Sequence, residues 1–169
     1  MLYIIHNYCL PLYFIKKYDM KKFALFLMVV IALWGCETDS SDIDKKVREV
    51  ASAFAEAYFN YDFEEALKWV TDDSEKWLRF AATNISQEDV DSLNAQMKAA
   101  TVETDEVSYI DDKTLTVGIT VKDFLLKDTV GRPGHIENEA KYNLTIVKQG
   151  RKFRVRMACL PQNERRSHD

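Results

Sequence analysis

The sequence predicts an α+β domain in which N-terminal helices pack on a curved four-stranded antiparallel sheet. From Val47 to Tyr58, apolar residues recur every three or four positions, the period of a helix that buries one face. After Thr101 the period falls to two, as in strands with one buried face. Because the helical patterns all precede the strand patterns, the helices are expected to cover one face of the sheet.

The helical half contains four predicted segments, each opened by a capping residue. The second opens with a variant of the capping box, an aspartate followed three positions later by a glutamate. The fourth has a narrow apolar face of only three residues. The segments run from about Asp42 or Asp44 to Tyr58, from Asp62 to Val70, from Asp72 or Asp73 through Ala81, and from Ser86 to about Ala99.

The strand half is predicted as two hairpins separated by a loop. Glycine, proline and paired aspartates mark the turns between the alternating runs. The loop is expected from Phe124 to His135, around a Gly-Arg-Pro-Gly sequence. The alternating runs are Val107 to Tyr109, Leu115 to Val121, Ala140 to Ile146, and Phe153 to Met157.

A basic head at Met20-Lys21-Lys22 is followed by twelve apolar residues, Phe23 to Trp34. Such a run is typical of an export signal. As a helix it would rise only about 18 Å, short of the ~30 Å hydrocarbon core, which disfavours a permanent span. The run closes with Leu33-Trp34-Gly35-Cys36, which resembles the lipobox of bacterial lipoproteins, with Trp34 bulkier than the usual residue at its position. The resemblance implies lipidation of Cys36, hence a membrane partner and an outer-membrane location in the cell envelope.

These features divide the chain into five expected parts. An upstream extension precedes Met20, which we interpret as the true start because export signals keep short basic heads; a second membrane span is the alternative. The acidic segment after Cys36 is interpreted as a tether, and it resembles a signal for the outer face of the outer membrane. The parts are 1–19, extension; 20–35, signal; 36–42, tether; 43–160, domain; 161–169, disordered tail.

Charge and cysteine content narrow the classes of partner. From Cys36 onward 19 Lys and Arg stand against 26 Asp and Glu, and this net negative charge disfavours nucleic acid. Cys159 has no other cysteine to pair with after Cys36, so a small buried hydrophobe is favoured over a reactive thiol. With no Cys or His cluster at metal-ligand spacing, neither a metal nor another cofactor is expected.

The order of elements resembles the nuclear transport factor 2-like, cystatin-like fold. The resemblance rests on the helix Val47 to Tyr58, the break and restart at residues 59–66, and the final hairpin at residues 147–155, and it covers residues 43–160. It implies a cone formed by a curved sheet wrapped around helices. More narrowly, the chain is similar to small bacterial lipoproteins of this fold whose function is unassigned. None of the matching motifs is catalytic.

Enzymes on this fold use polar groups that line the cone, typically a carboxylate with a tyrosine or a second acid. Asp123 is the only carboxylate in the inward phase of the predicted strands, and Tyr109 or Tyr142 would be its partner. A catalytic Asp123 requires a raised pKa and a substrate-facing pocket, whereas a solvated turn carboxylate is the simpler interpretation. His135 has no second His or Cys to form a site and is expected in an exposed loop.

Five aromatic residues are candidates for lining a small-molecule pocket at the mouth of the cone, although aromatic residues at these spacings more often form plain core. They are Tyr58, Trp69, Trp77, Tyr109 and Tyr142. An outward basic stripe, interpreted first as a solvated face, could meet an acidic partner or anionic headgroups. The stripe contains Lys141, Lys148, Lys152, Arg154 and Arg156.

Three functions follow from these features. The leading hypothesis is a non-enzymatic, lipid-anchored envelope module that binds a protein partner or a small ligand. The alternative is an isomerase- or hydratase-like enzyme that uses Asp123 and a pocket tyrosine. The third is an assembly subunit that docks through the basic sheet face.

Overall fold

The structure is a computed structural model, and it describes residues 40–127 and 129–164. Its helices precede its strands and pack against a four-stranded antiparallel open sheet, so the predicted α+β class is confirmed. The helices are α1 (Ser40–Phe59), α2 (Phe63–Leu67), α3 (Glu75–Thr83) and α4 (Gln87–Ala95), with a 3₁₀ turn at Asp72–Ser74. The strands are β1 (Thr101–Tyr109), β2 (Thr114–Leu126), β3 (His135–Gln149) and β4 (Lys152–Arg156).

The four strands pair in chain order, each antiparallel to the next. In the central β2–β3 pair, Leu115 lies opposite Ile146 and Ile119 lies opposite Tyr142. All four of these side chains are buried, because the inward positions of both strands fall in the same phase. The β1–β2 register shifts by one residue between Thr104 and Val107, which is a β-bulge.

Helix α1 lies along β1 in the opposite direction. Near its start, the Tyr109 hydroxyl donates to Asp44 Oδ1 over 2.5 Å. One turn further on, the Arg48 guanidinium donates to the Thr104 carbonyl over 3.3 Å. Just beyond its end, Asn60 accepts from the Ala100 backbone N–H over 2.8 Å. The start of α1 therefore lies beside the β1–β2 turn, and its end lies beside the first residue of β1.

The ends of the domain differ from the expected boundaries. Ser40 to Asp42, expected in the tether, are helical, because Asp42 lies in the first turn of α1 and pairs with Lys46 over 3.1 Å. Of the expected disordered tail, Pro161 to Glu164 pack on the sheet, where Asn163 forms a β-bridge with Tyr142. Cys36, the predicted export signal and residues 165–169 lie outside the described residues.

Strand β2 is longer than predicted, and Asp123 is the reason. Asp123 has φ +54°, which reverses the alternation and brings Phe124 inward instead of Asp123. Phe124 and Leu125 are both buried, whereas the Asp123 side chain is exposed. The expectation that Asp123 continues the inward phase of the strand is therefore wrong, as is the assignment of Phe124 to Leu126 to a loop.

The second helix is shorter than predicted because β4 competes for its last residues. α2 ends at Leu67, and the next residues run beside β4, where the Val155 N–H donates to the Trp69 carbonyl over 2.9 Å. The Thr71 N–H donates in turn to the Val155 carbonyl over 3.0 Å. Ser86 caps α4 with a full capping box, as its position predicts, but the helix ends at Ala95.

Candidate ligand-binding cavity

A cavity of about 110 Å³ opens between the end of α1, the end of α3 and the end of β2. Its walls are mainly aromatic and aliphatic, with Asn84, Lys127 and Thr129 as polar members. It is smaller than the apolar cavity of about 150 Å³ that is known to accept a benzene ring, so it suits at most one small ring or a short branched chain. The lining residues are Tyr58, Phe59, Tyr61, Phe63, Phe80, Ala81, Asn84, Ile85, Phe124, Leu125, Leu126, Lys127, Thr129, Val130, Tyr142, Leu160 and Pro161.

The inner wall is a cluster of aromatic rings in edge-to-face and tilted contacts. The Phe59 ring lies 4.8 Å from that of Tyr142 and 5.2 Å from that of Phe124. Tyr58 meets Phe59 edge-on at 5.1 Å and Phe63 at 5.8 Å. Such contacts hold rings in fixed orientations, so the wall is formed before any ligand enters.

Three tyrosines line the cavity, Tyr58, Tyr61 and Tyr142, and the first two have shifted pKa values. The Tyr61 hydroxyl donates to the Leu125 carbonyl over 2.8 Å and joins the α1–α2 turn to β2. Burial, together with the negative charge of Asp89, raises the pKa of Tyr61. Burial is also the main cause that raises the pKa of Tyr58 well above its usual range. Both rings therefore stay neutral at physiological pH and act as hydrogen-bonding groups, not as bases.

Lys127 is the only cationic side chain among the lining residues, and its charge is neutralised inside the domain. Its ammonium donates to the Asp89 carboxylate and, over 2.7 Å, to the Arg132 carbonyl. Asp89, which is fully buried, also accepts from the Gly134 N–H over 2.6 Å and from Ser86. Burial raises the pKa of Asp89, but these hydrogen bonds outweigh it and hold the pKa well below its usual range.

The Asp89 network fixes the loop that borders the cavity. Ser86 and Asp89 belong to the start of α4, whereas Lys127 and Gly134 stand at the two ends of the β2–β3 connection. One carboxylate thus joins a helix to both ends of a loop. With Lys127 paired to Asp89, the lining residues that the structure describes carry no free charge, which favours a neutral ligand.

A wider cleft of about 430 Å³ adjoins the cavity and shares Phe80, Leu126 and Leu160 with it. Trp77 and Cys159 line this cleft. Cys159 is exposed there, so its expected burial as a small hydrophobe is wrong. Two consecutive exposed residues, Ala158 and Cys159, follow buried Met157, because the chain leaves the sheet at this point.

The five aromatic candidates lie in different parts of the structure. Tyr58 and Tyr142 line the cavity, and Trp77 lines the adjoining cleft. Trp69 packs against the core, and its indole N–H donates to Glu65 over 3.2 Å. Tyr109 is about half exposed at the opposite end of the sheet.

Asp123 does not face the cavity. Its side chain is exposed, its backbone carbonyl accepts from the Gln96 side chain over 2.9 Å, and it lines neither the aromatic cavity nor the wider cleft of about 430 Å³. Neither Tyr109 nor Tyr142 is brought together with it in a cavity. The arrangement that the enzyme hypothesis requires is therefore not formed.

By strand register, Lys141, Lys152, Arg154 and Arg156 fall in one phase of the sheet, and Lys148, opposite Phe153, falls in the other. Arg154 donates to the Lys68 carbonyl over 2.6 Å, and Arg156 lies 4.0 Å from Asp73. Lys141 lines a polar groove with Asp105 and Glu106 on another part of the sheet. His135 is exposed as expected, with Nε2 3.7 Å from Glu137, but it is the first residue of β3, opposite Leu126, and not a loop residue.

Sequence reasoning missed Phe59, Tyr61 and Phe124, as well as the Asp89 and Lys127 pair. Tyr61 lies in a recognised helix break, but its φ of +64°, which turns the ring toward β2, has no sequence signal beyond that break. Asp89 stands at the third position after a capping serine, so a capping role was readable. Its contacts to Lys127 and Gly134, which lie 38 and 45 positions further along the chain, were not readable from the sequence.

Residues 40–127 and 129–164 contain neither a metal-ion cluster nor a membrane-spanning helix. No group of three or more His, Cys, Asp and Glu side chains in these ranges could hold a metal ion. No helix within them is long and apolar enough to cross a membrane.

Comparison with known proteins found no relative of this chain. No family model, curated protein or solved structure matches this chain. The cavity and the sequence pattern around Cys36 therefore carry the functional argument by themselves.

Proposed function

We propose that this protein is a lipoprotein of the bacterial cell envelope, anchored through Cys36, whose nuclear transport factor 2-like domain binds a small apolar ligand without chemical turnover. The observation that carries the binding role is the aromatic cavity of about 110 Å³. Concave, largely apolar and preformed sites with few polar groups are typical of small-molecule binding. The anchor rests on the apolar run and lipobox-like ending before Cys36.

The wall chemistry defines the class of ligand. The rings of Phe59, Phe124 and Tyr142 favour an aromatic ring or a branched aliphatic group, and the neutral hydroxyl of Tyr58 offers one hydrogen bond. A charged ligand is disfavoured, because Lys127 is already engaged by Asp89. A ligand larger than one ring would extend into the cleft beside Trp77.

The lining residues support binding more than catalysis. Those among the described residues 40–127 and 129–164 include no carboxylate and no histidine, and their one ammonium group is paired. General acid–base catalysis needs a titrating group within hydrogen-bonding reach of the substrate. Since Asp123 lies outside the cavity, its carboxylate does not face the space where the isomerase or hydratase hypothesis requires a general base.

Toluene and phenol are suitable probes of the cavity, monitored by ligand-detected NMR with the full chain. Ala81 is buried and lines the cavity, so Ala81→Phe would fill the space and should abolish the toluene signal. Ile136→Phe places the same ring at an exposed site outside the cavity and should leave binding unchanged. Circular dichroism verifies that both variants fold. Equal binding by the two variants would contradict the cavity proposal.

The anchor is tested by cell fractionation. Several acyl chains on one cysteine hold a protein to a membrane almost permanently, whereas a single chain binds reversibly. Cys36→Ser should therefore move the protein from the membrane pellet to the soluble fraction, still folded. Cys159→Ser is the matched control and should stay in the pellet. Retention of the Cys36→Ser protein in the membrane would contradict anchoring by lipid.

A further inference from the structure

One end of the domain is fixed close to the proposed anchor. Helix α1 is already helical at Ser40, and only residues 37–39 separate it from Cys36. Four Cα–Cα steps extend over at most about 14 Å, however that segment is arranged. The anchoring cysteine therefore lies within about 14 Å of the start of α1.

The start of α1 lies at the hairpin end of the sheet. Asp44 accepts a hydrogen bond from Tyr109, the last residue of β1, and Ser40 is about 6 Å of helix before Asp44. The β3–β4 turn lies at the same end, since the Lys148 N–H donates to the Lys113 carbonyl over 2.8 Å. We call the two turns, residues 110–113 and 149–151, with the first turn of α1, the anchor end.

The anchor end exposes two large side chains, one of which, Tyr109, also joins β1 to α1 through its hydroxyl. Ile110 is 63% exposed and Tyr109 is 53% exposed, and they are adjacent at the tip of the first hairpin. A tyrosine next to an aliphatic residue suits a membrane interface, where the ring body meets the acyl boundary and the hydroxyl stays wet.

The anchor end is also the least acidic end of an acidic domain. Between residues 40 and 164 the chain has 17 Lys and Arg against 23 Asp and Glu. At the anchor end, its adjoining residues and the link, six basic residues balance six acidic ones: Glu37, Asp39, Asp42, Asp44, Asp111 and Asp112. The six basic residues are Lys45, Lys46, Lys113, Lys148, Arg151 and Lys152, and all are exposed. Lysines and arginines near a surface are attracted to anionic lipid, while the acidic remainder is repelled.

We infer that the anchor end lies on an anionic phospholipid surface, with Ile110 and Tyr109 at the headgroup boundary and the cavity end directed away from the membrane. This inference rests on the proposed lipidation of Cys36. The short link holds the anchor end at the membrane, and its exposed apolar tip and exposed basic residues fix its orientation there. The cavity mouth then remains open to ligand from the aqueous side.

Accessibility of an engineered cysteine tests the orientation. Ile110→Cys and Val130→Cys are a matched pair, because both native side chains are 63% exposed and they lie beyond opposite ends of β2. Each is introduced into the full chain with Cys9→Ser and Cys159→Ser. The lipidated protein is added to preformed vesicles of phosphatidylcholine with phosphatidylglycerol and treated with a bulky polar maleimide. Modification at position 110 should slow several-fold relative to detergent solution, while position 130 should not change.

A charge variant separates headgroup attraction from simple proximity. Lys148→Glu with Arg151→Glu should restore much of the modification rate at position 110. Lys98→Glu with Arg132→Glu makes the same charge change elsewhere and should leave the protection intact. If position 110 remains protected in the Lys148→Glu, Arg151→Glu variant, attraction to anionic headgroups is overturned as the cause of the protection.

The chemistry of Cys36 distinguishes the two ways of failing. A lipidated Cys36 is a thioether and does not react with maleimide. Should Cys36 react, the proposed anchor is wrong and the orientation falls with it. Should Cys36 be blocked while positions 110 and 130 are modified equally, the anchor stands and the orientation is overturned.

Discussion

The two ends of β2 differ in what they do with aromatic and charged residues. At the cavity end, Phe124 and Tyr142 face inward, and the one charge beside them, Lys127, is paired with buried Asp89. At the anchor end, roughly 40 Å of strand away, Tyr109 and Ile110 face outward among unburied charges. Similar residue types are therefore used at one end to form a cavity and at the other to form a surface.

The difference predicts how each end responds to mutation. Interactions at the cavity end are buried, so breaking them leaves polar groups without water and costs stability. Interactions at the anchor end are exposed, so water replaces them at little cost. The predictions that follow compare the two ends by the free energy of unfolding, from the largest expected change to the smallest.

Asp89→Asn should be the most destabilising change, at about 3 kcal/mol, because it leaves the mostly buried ammonium of Lys127 without its counter-charge. Urea denaturation of the full chain measures it. Asp91→Asn, on the same helix but exposed, is the matched control and should change stability by less than about 0.5 kcal/mol. Equal effects of the two substitutions would contradict the expected difference between a buried and an exposed carboxylate.

Acid should unfold the domain partly through Asp89. The pKa of this carboxyl is lower in the folded state than its unfolded value of about 3.9, so its contribution is fully present above that value. The contribution is lost as the pH falls below about 4 toward the folded pKa. Denaturation midpoints measured from pH 6 to pH 2 should fall less steeply for Asp89→Asn than for the native chain. Parallel profiles would contradict this assignment.

Gly134→Ala should destabilise the cavity end by about 2 kcal/mol, because the new Cβ would lie 2.8 Å from the Leu126 carbonyl oxygen and 3.1 Å from a Leu125 side-chain carbon. The same position donates to Asp89, so the loop cannot shift freely. Gly118→Ala serves as the control, because its nearest neighbour would be the Asp105 Cβ at 3.3 Å on an open face. Thermal denaturation should rank Gly134→Ala well below Gly118→Ala in stability.

Two tyrosine-to-phenylalanine changes compare the ends directly. Tyr61→Phe removes a hydrogen bond to the Leu125 carbonyl in a partly buried position and should cost about 1 kcal/mol. Tyr109→Phe removes a hydrogen bond to Asp44 that solvent can replace and should cost less than about 0.5 kcal/mol. Urea denaturation of both variants gives the ranking, and the reverse ranking would refute it.

Ile110→Ser should have the smallest effect on folding, within about 0.5 kcal/mol, since the side chain is largely exposed. Thermal denaturation checks this value. A loss much larger than that would mean that Ile110 supports the fold, and it would weaken its assignment to a membrane interface.

Local sequence patterns were sufficient to predict the helices and strands. The three-to-four spacing of Val47 to Tyr58 and the alternation of Leu115 to Val121 each report which face is buried, so helices, strands and their order were predictable. The cap at Ser86 was predictable for the same reason, because capping depends on residues three positions apart. Element ends were less accurate, since α2 and β2 end where distant residues compete or pair with them.

The candidate site was only partly predictable. Tyr58 and Tyr142 could be proposed as cavity residues because they lie on the inward faces of their elements. Asp123 was placed inward by the same rule, and the rule failed because one residue with positive φ reverses the phase of a strand. A backbone angle of this kind is allowed at Asp but not dictated by it.

The sequence by itself determined the class of the domain, the order of its elements, its uneven charge and the apolar run before Cys36, because each depends on neighbours or on composition. Only the tertiary structure decided that Tyr61 and Phe124 share a cavity wall and that Asp89 binds Lys127 and Gly134. It alone brought the start of α1 beside the β1–β2 turn. These contacts join residues tens of positions apart, and packing the whole chain is what selects them.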